Sequence, residues 1–187
     1  PFALCENSTL KMGAKIYGPT TVGPHSKVGG EVNNSVIFGY SNKAHDGFLG
    51  NSVIGEWCNL GADTNTSNLK NNYSEVRLWN YESENFARTG LQFCGLMMGD
   101  HSKCSINTMF NTGTVVGVCA NIFGSGFPRN FVPSFSWGGN QGMSTYLTKK
   151  AFEVASAVFQ RRGLEFSQQD AEILEQVFKM TNKHRPA

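Results

Sequence analysis

The sequence lacks the features that mark several large classes of protein. Its 16 Lys and Arg nearly balance its 14 Asp and Glu, so no excess of charge indicates a nucleic-acid or membrane surface. No apolar run approaches the roughly 18 residues needed to span a bilayer, and no stretch resembles a signal peptide. We therefore expect a cytoplasmic protein that binds neither nucleic acid nor membrane.

The cysteines do not indicate a disulfide framework. There are five, an odd number, and no two form a CxxC pair: Cys5, Cys58, Cys94, Cys104 and Cys119. This pattern predicts buried thiols in a reducing compartment, and it disfavours a cysteine-based zinc site.

Apolar residues recur at every sixth position in two long stretches. The first contains Leu4, Leu10, Ile16, Val22 and Val28, and the second contains Met98, Cys104, Phe110, Val116 and Ile122. A period of six suits neither an amphipathic helix nor an alternating strand. It is typical of a parallel β-helix, in which each side of a triangular coil places one side chain in the core. We therefore predict an all-β solenoid of hexapeptide repeats.

The repeat also predicts how the chain is divided. It extends over residues 1–124, with a loop insertion at about 67–90 where a polar, turn-rich segment projects from one coil. Residues 125–146 are irregular and aromatic, and we expect them to leave the solenoid. Apolar spacing over 147–184 predicts two C-terminal helices, the second opened by a capping sequence from Ser167 to Asp170. We expect this helical pair to cap the open end of the solenoid.

Two stretches carry a family resemblance: Lys43 to Gly55, continuing through Cys58–Thr64 and Ser67–Lys70, and later Met98–Asn107. They resemble the C-terminal left-handed β-helix of bifunctional sugar-1-phosphate nucleotidyltransferase/glucosamine-1-phosphate acetyltransferases, which are hexapeptide-repeat transferases. The resemblance implies a left-handed parallel β-helix and a homotrimer with active sites between subunits. It also implies acetyl-CoA as co-substrate and a sugar phosphate or nucleotide sugar as acceptor.

The resemblance further implies a nucleotidyltransferase domain ahead of Pro1. The sequence opens in hexad register and without a methionine. We therefore expect an N-terminal domain to be missing from this chain, with Mg²⁺ as a candidate cofactor there.

Individual site residues follow from the same resemblance. The histidine that matches His45 is the general base that takes a proton from the attacking sugar amine, a role that suits an imidazole. The asparagine that matches Asn59 lies in the sugar and acetyl site, and the one that matches Asn68 orients the base or the amine. Lys70 matches a lysine that contacts the sugar phosphate, and Ala62 lies at a position that contacts acetyl-CoA.

Several positions depart from the family pattern. Phe48, a predicted substrate-binding position, stands where the family has tyrosine, so a hydroxyl is missing. Asp100, a predicted cofactor-binding position, replaces a serine that contacts coenzyme A, and its carboxylate would repel a phosphate. The bacterial enzymes have phosphate-binding basic residues near Leu4 and near Asn34 or Ser35, and neither is basic here. These departures leave the acceptor sugar open.

Two alternatives remain beside acyl transfer. Trimeric β-helices can bind zinc between subunits through three histidines, but the four histidines stand apart at 25, 45, 101 and 184, so we predict no metal site. The other alternative is a non-catalytic trimerisation or regulatory domain of a uridylyl- or thymidylyltransferase, in which His45 is a relic.

The sequence thus predicts an acetyl-CoA-dependent acyltransferase domain that acts on an amino or hydroxyl group of a sugar phosphate or nucleotide sugar. Catalysis requires the site residues to converge on one groove, whereas a scaffold does not. His101 is a further candidate that could reach such a groove.

Overall fold

The computed structural model describes residues 1–186, in which short strands wind into a β-solenoid of about eight coils. In chain order the strands are β1 (Phe2–Leu4), β2 (Thr9–Leu10), β3 (Lys15–Tyr17), β4 (Thr20–Val22), β5 (Lys27–Val28), β6 (Glu31–Asn33), β7 (Val36–Ile37), β8 (Asn42–Lys43), β9 (Phe48–Gly50), β10 (Val53–Ile54), β11 (Asn59–Leu60), β12 (Asn65–Thr66), β13 (Arg77–Asn80), β14 (Asn85–Arg88), β15 (Met97–Met98), β16 (Lys103–Cys104), β17 (Met109–Phe110), β18 (Val115–Val116), β19 (Asn121–Ile122), β20 (Phe131–Val132), β21 (Ser136–Gly139) and β22 (Gly142–Thr145). They are followed by the helices α1 (Thr148–Gln160) and α2 (Gln168–Met180), and by a 3-10 turn at Asn182–His184.

Strands from successive coils stack in parallel on three sides. The first sheet has the order β1-β4-β7-β10-β15-β18-β20, and the second has the order β2-β5-β8-β11-β16-β19-β21, with β22 added antiparallel at its end. The third side holds two separate sets, β3-β6-β9 and β12-β17. This architecture confirms the predicted left-handed parallel β-helix followed by two helices.

The core is a ladder of inward side chains along the solenoid axis. Its buried members include Val22, Val28, Ile37, Ile54, Leu60, Met98, Cys104, Phe110, Val116 and Ile122. Leu4 and Leu10 also hold this register, opposite Val22 and Val28, yet they are 46% and 37% exposed. Within residues 1–186, the first coil is covered by a neighbouring coil on one side only, so the inward positions there are more exposed.

One position of the ladder is polar. Lys43 pairs in register with Val28, and it is only 2% exposed inside the core. Its Nζ donates hydrogen bonds to the Gly29 carbonyl at 3.1 Å and to the His45 carbonyl at 2.5 Å. Burial lowers the pKa of Lys43 from 10.5 to about 8, and the nearby carboxylates of Asp46 and Asp63 partly oppose this shift.

The structure differs from the sequence expectation over residues 125–146. There β20 pairs with β18 and β21 pairs with β19, so the aromatic segment forms a further coil with Val132 fully buried in the core. β22 then turns back along β21, and Met143 packs against the end of the core. The loop from Gly124 to Asn130 lengthens this coil. Its inward residues therefore do not follow the preceding ones at a spacing of six.

Both predicted helices are present, but they lie along the side of the solenoid, since the β21–β22 hairpin occupies its end. Ala151 of α1 packs with Cys119 and Phe135, and Phe159 stacks on Trp57 at 4.0 Å. A 13-residue helix is about 20 Å long, which is roughly four strand spacings of about 4.8 Å. Helix α1 therefore extends along about four coils. Within residues 1–186, no helix is long and apolar enough to cross a membrane.

A column of corner residues explains where the helices dock. Between the first and second sheets, seven successive corners each have one residue with a φ of 54° to 60°: Asn7, His25, Tyr40, Trp57, His101, Cys119 and Phe135. The ring of Tyr40 stacks on His25 at 4.7 Å and on Trp57 at 4.1 Å. This corner conformation turns large side chains outward, and the helices cover the resulting apolar ridge.

The insertion between β12 and β15 contains the β13–β14 hairpin, paired antiparallel from Arg77 to Arg88. Trp79 of this hairpin stacks on Phe131 of β20 at 4.2 Å. The hairpin therefore packs on the outside of the last coil.

Candidate functional site

A groove of about 690 Å³ lies between the outer face of the second sheet and the end of α1. Outward residues of successive strands follow one another in register along its floor, and they are Lys27, Asn42, Asn59 and Lys103. Helix α1 and the residues after it contribute the opposite wall through Val158, Arg161 and Arg162. We call this cavity the α1 groove.

Three of the predicted site residues line the α1 groove: His45, Asn59 and Ala62. Asn59 points outward from β11, while His45 and Ala62 follow β8 and β11 at the next corner of the coil. They belong to adjacent coils, so the stacking of the solenoid brings them to one place.

The turn that carries His45 packs closely against the preceding coil, because that coil has glycine beside it. The corner segment between Val28 and Val32 is two residues shorter than that between Lys43 and Leu49. A Cβ at Gly30, whose φ is +68°, would lie 2.8 Å from the His45 carbonyl oxygen. The Lys43 ammonium holds that same oxygen from the core side. The backbone of His45 is therefore fixed from two sides, while its side chain is exposed.

Asn59 is linked to α1 through a second amide. Nδ2 of Asn42 donates to Oδ1 of Asn59 at 3.5 Å, and Nη2 of Arg162 donates to Oδ1 of Asn42 at 3.3 Å. Both bonds are long, and together they connect the end of the helix to the floor of the groove.

Phe48 and Asn68 do not line the α1 groove. They lie on the third side of the solenoid and approach each other at Gly50, where a Cβ would be 2.4 Å from Cζ of Phe48 and 2.7 Å from Nδ2 of Asn68. Asn68 also donates to Oδ1 of Asn51 at 2.8 Å. The close approach of both side chains requires a glycine at position 50.

Lys70 and Asp100 lie at two further places. Nζ of Lys70 donates to the carbonyl of Glu75 at 2.9 Å and faces a separate cavity of about 340 Å³ that Asn111 and Asn130 also line. Oδ1 of Asp100 accepts from the Glu56 amide at 2.8 Å, at the corner between the first and second sheets. Within one subunit, the predicted site residues are therefore divided.

The α1 groove is positively charged, a property that was not predicted from the sequence. Five cationic side chains line it, namely Lys11, Lys27, Lys103, Arg161 and Arg162, and no Asp or Glu of the described chain does so. Burial lowers the pKa of Lys103, whose Nζ donates to the His101 carbonyl at 2.9 Å. The hexads place Lys27, Asn59 and Lys103 in one outward register, so this part of the groove could have been predicted from the sequence. The positions of Arg161 and Arg162 depend on where α1 docks.

His101 lies under α1 and not in the groove. Its ring is stacked 6.2 Å from Trp57 and 6.0 Å from Phe159, and its Nδ1 is buried without a hydrogen-bond partner. Burial, together with the nearby Lys103 ammonium, lowers the pKa of His101 to about 4. A neutral, enclosed imidazole in this position is a packing residue.

The cysteines are free thiols, four of them buried and Cys5 half-buried. Cys58 lines the groove, but burial raises its pKa to about 12, so it is no thiolate nucleophile at neutral pH. Among residues 1–186, no three His, Cys, Asp or Glu side chains are arranged to hold a metal ion.

Comparison with known proteins gives sequence relatives over part of the chain. No family model matches it. A bifunctional protein GlmU from Methanocaldococcus jannaschii is 34% identical over 87 residues, which are 46% of this chain and 21% of that protein. A bifunctional sugar-1-phosphate nucleotidylyltransferase/acetyltransferase from Sulfurisphaera tokodaii is 33% identical over 93 residues, which are 50% of this chain and 23% of that protein.

One solved structure has a distant likeness to this chain. The crystal structure of the polySia specific acetyltransferase NeuO has 11% sequence identity and a TM-score of 0.30, with 77% of this chain and 86% of that chain covered. No conclusion follows from so low a score.

The matched stretch spans only about a fifth of the length of the relatives. Over about half of its own length, this chain is a homologue of the bifunctional sugar-1-phosphate nucleotidyltransferase/acetyltransferases.

Proposed function

We propose that the chain is an acetyl-CoA-dependent acyltransferase domain that acts on an amino or hydroxyl group of a sugar phosphate or nucleotide sugar. The observation that carries the proposal is the convergence of His45, Asn59 and Ala62 on one groove of about 690 Å³. These positions match the base, the acetyl-site amide and the coenzyme contact of the family. The acetyltransferase activity in the name of the S. tokodaii relative supports the same reaction class.

His45 acts as the general base in this proposal. When the acceptor amine attacks the thioester carbonyl, a C–N bond forms and the C–S bond breaks, and the imidazole takes the proton that the amine loses. The proton then passes to the departing coenzyme A thiolate. The structure around His45 suits this role. Its imidazole is exposed and accessible, while contacts with Lys43 and Gly30 restrict the position of its backbone.

In this proposal Asn59 stabilises the transition state. Its Oδ1 accepts the hydrogen bond from Asn42, so its Nδ2 is the end that donates. A donor of this kind stabilises the negative charge that develops on the thioester oxygen. Ala62 has a small side chain at the corner of the groove, which leaves room for the pantetheine arm.

Three of the remaining predicted residues require a neighbouring subunit. Phe48, Asn68 and Lys70 lie outside the groove of their own chain, so we propose that in a homotrimer they face the groove of the next one. Asp100 has no place in this arrangement, because it lies at the corner between the first and second sheets, where the helices of its own chain dock. Lys70 would then contact the sugar phosphate. Exposed apolar residues on the outer face of the first sheet support association between subunits, and they are Val36, Phe38 and Val53.

The alternative is a non-catalytic trimerisation domain, and one observation favours it. The Lys70 ammonium already bonds the Glu75 carbonyl and lies apart from His45. A scaffold needs only the buried ladder and its outer faces, and no convergence of polar residues.

Product analysis by mass spectrometry, with acetyl-CoA and a panel of amino-sugar phosphates, tests the proposal. His45→Ala should lower kcat by about 100-fold or more, the usual contribution of a general base. The matched control is His25→Asn, which lies outside the groove and has a φ of 57° that asparagine tolerates. Full acetyl transfer by a folded His45→Ala protein would contradict the proposal, and no binding of acetyl-CoA at millimolar concentration would favour the scaffold.

A further inference from the structure

One lysine of the α1 groove has no role in the proposed mechanism. Lys103 of β16 is half-buried, lines the groove and pairs in parallel register with Asn59 of β11. We infer that Nζ of Lys103 is itself acetylated by acetyl-CoA bound in this groove, which makes Lys103 a self-modification site. The inference rests on the proposed function, because the groove must first bind acetyl-CoA.

Lys103 lies beside the residue that is proposed for the acetyl site. Lys103 and Asn59 are partners on adjacent strands, and such strands are about 4.8 Å apart. Both side chains line the same cavity, so both project from the outer face of the second sheet. A thioester carbonyl held by Asn59 would therefore lie within reach of the neighbouring lysine amine.

The surroundings of Lys103 favour its uncharged form. Burial lowers the pKa of its ammonium, and no Asp or Glu of the described chain lines the groove to oppose this shift. The thiols of Cys58 and Cys119 would oppose it only as thiolates, but burial raises the pKa of each to about 12, so both are neutral at neutral pH. The cations on the opposite wall, Arg161 and Arg162, have the same sign of charge as the ammonium. An uncharged amine is the nucleophilic form of lysine, and desolvation commonly produces it.

Hydrogen bonding positions the Lys103 amine without blocking it. Nζ donates to the His101 carbonyl at 2.9 Å, and the His101 imidazole beside it is neutral, since its pKa is lowered to about 4 by burial. A neutral amine has two N–H groups and one lone pair, so it can keep this hydrogen bond and still present the lone pair to a thioester. Lys43 also has a lowered pKa, but it is enclosed in the core and does not line the groove. Of these two lysines, only Lys103 is accessible to bound acetyl-CoA.

The transfer needs no reactant besides acetyl-CoA. The neutral amine of Lys103 attacks the thioester carbonyl, a C–N bond forms and the C–S bond breaks. The proton that the nitrogen loses passes to the departing coenzyme A thiolate, so the products are Nε-acetyllysine and coenzyme A. Acetylation removes the charge of the side chain and therefore makes the α1 groove less positive.

Peptide mass spectrometry after incubation with acetyl-CoA at neutral pH tests the inference. We expect acetylation of Lys103 at a rate that saturates with acetyl-CoA and is at least about 10-fold faster than that of two other lysines. They are Lys27, which is half-buried in the same groove, and Lys149, which is exposed on α1 outside it. The variant Lys103→Arg keeps the positive charge and should lose this modification, whereas Lys149→Arg, the matched control, should retain it.

Three results would overturn the inference. In the first, Lys103 of the folded protein stays unmodified at millimolar acetyl-CoA. In the second, it is acetylated no faster than Lys149. In the third, its rate rises with acetyl-CoA without saturation, which indicates reaction with unbound acetyl-CoA. Circular dichroism confirms that wild type and both variants are folded.

Acetyl transfer to amino-sugar phosphates, measured in the same samples, separates this inference from the proposed function. Acetylated Lys103 without transfer to any acceptor supports the modification site and contradicts the acyltransferase. Transfer to an acceptor while Lys103 stays unmodified contradicts the modification site alone.

Discussion

Replacement of the buried Lys43 by methionine should stabilise the fold at neutral pH. Burial lowers the pKa of Lys43 from 10.5 to about 8, so keeping it charged at pH 7 costs the folded state about 3 kcal/mol. Methionine has a similar length and no charge. It also removes the hydrogen bonds to Gly29 and His45, each of which contributes about 1 kcal/mol. The net gain in the free energy of unfolding should be about 1 kcal/mol.

The gain should disappear in alkaline solution. The folded pKa of Lys43 lies below its unfolded value, so between about pH 8 and 10.5 the unfolded state binds more protons than the folded state. The wild-type contribution to stability therefore rises with pH in that window, by about 2 kcal/mol between pH 7 and 9.5. At pH 9.5 the methionine variant should be no more stable than wild type, because it still lacks the two hydrogen bonds.

Urea unfolding at the two pH values measures both effects. Lys15→Met is the matched control, since Lys15 is an exposed residue on the third side, and its effect should be the same at both pH values. A difference between Lys43→Met and wild type that does not change with pH would refute the reasoning, because it would mean that Lys43 has the same pKa in the folded and the unfolded state.

Two further predictions concern the turn and the thiols. Gly30→Ala should destabilise the protein and lower acetyl transfer, because its Cβ would press on the His45 carbonyl; Gly13→Ala, with a φ of +75° and open space, should cost only about 1 kcal/mol. Equal melting temperatures of these two variants would contradict this account of the His45 turn. An Ellman titration of the native protein should detect one rapidly reacting thiol, that of Cys5, since the other four are buried; more than one rapid thiol would contradict that burial.

The hexad pattern was sufficient to predict the solenoid, because one inward residue per side is a local property of the chain. Val22, Val28, Met98 and Val116 all lie where the period of six places them. The coil that contains Val132 was not recognised, because the long loop before it breaks the period.

The candidate site was only partly predictable. His45, Asn59 and Ala62 meet because they are close in sequence and lie on adjacent coils. Arg161 and Arg162 reach the same groove only through the packing of Phe159 on Trp57, a contact between positions far apart in the chain. The burial of Lys43 could not be predicted for another reason. A repeat pattern does not predict an ammonium group among aliphatic core residues, and the carbonyl groups that accept its hydrogen bonds are identified only in the structure.

The position of α1 also determines the order in which the site can form. Each coil of the solenoid can assemble on the one before it, but α1 docks against corners that extend from Trp57 to Phe135. It therefore needs several finished coils to dock against, and its contacts join positions that are far apart in the chain. During synthesis, His45 and Asn59 would be in place well before the two arginines arrive. A ribosome-bound or truncated chain would thus have the floor of the groove without its charged wall.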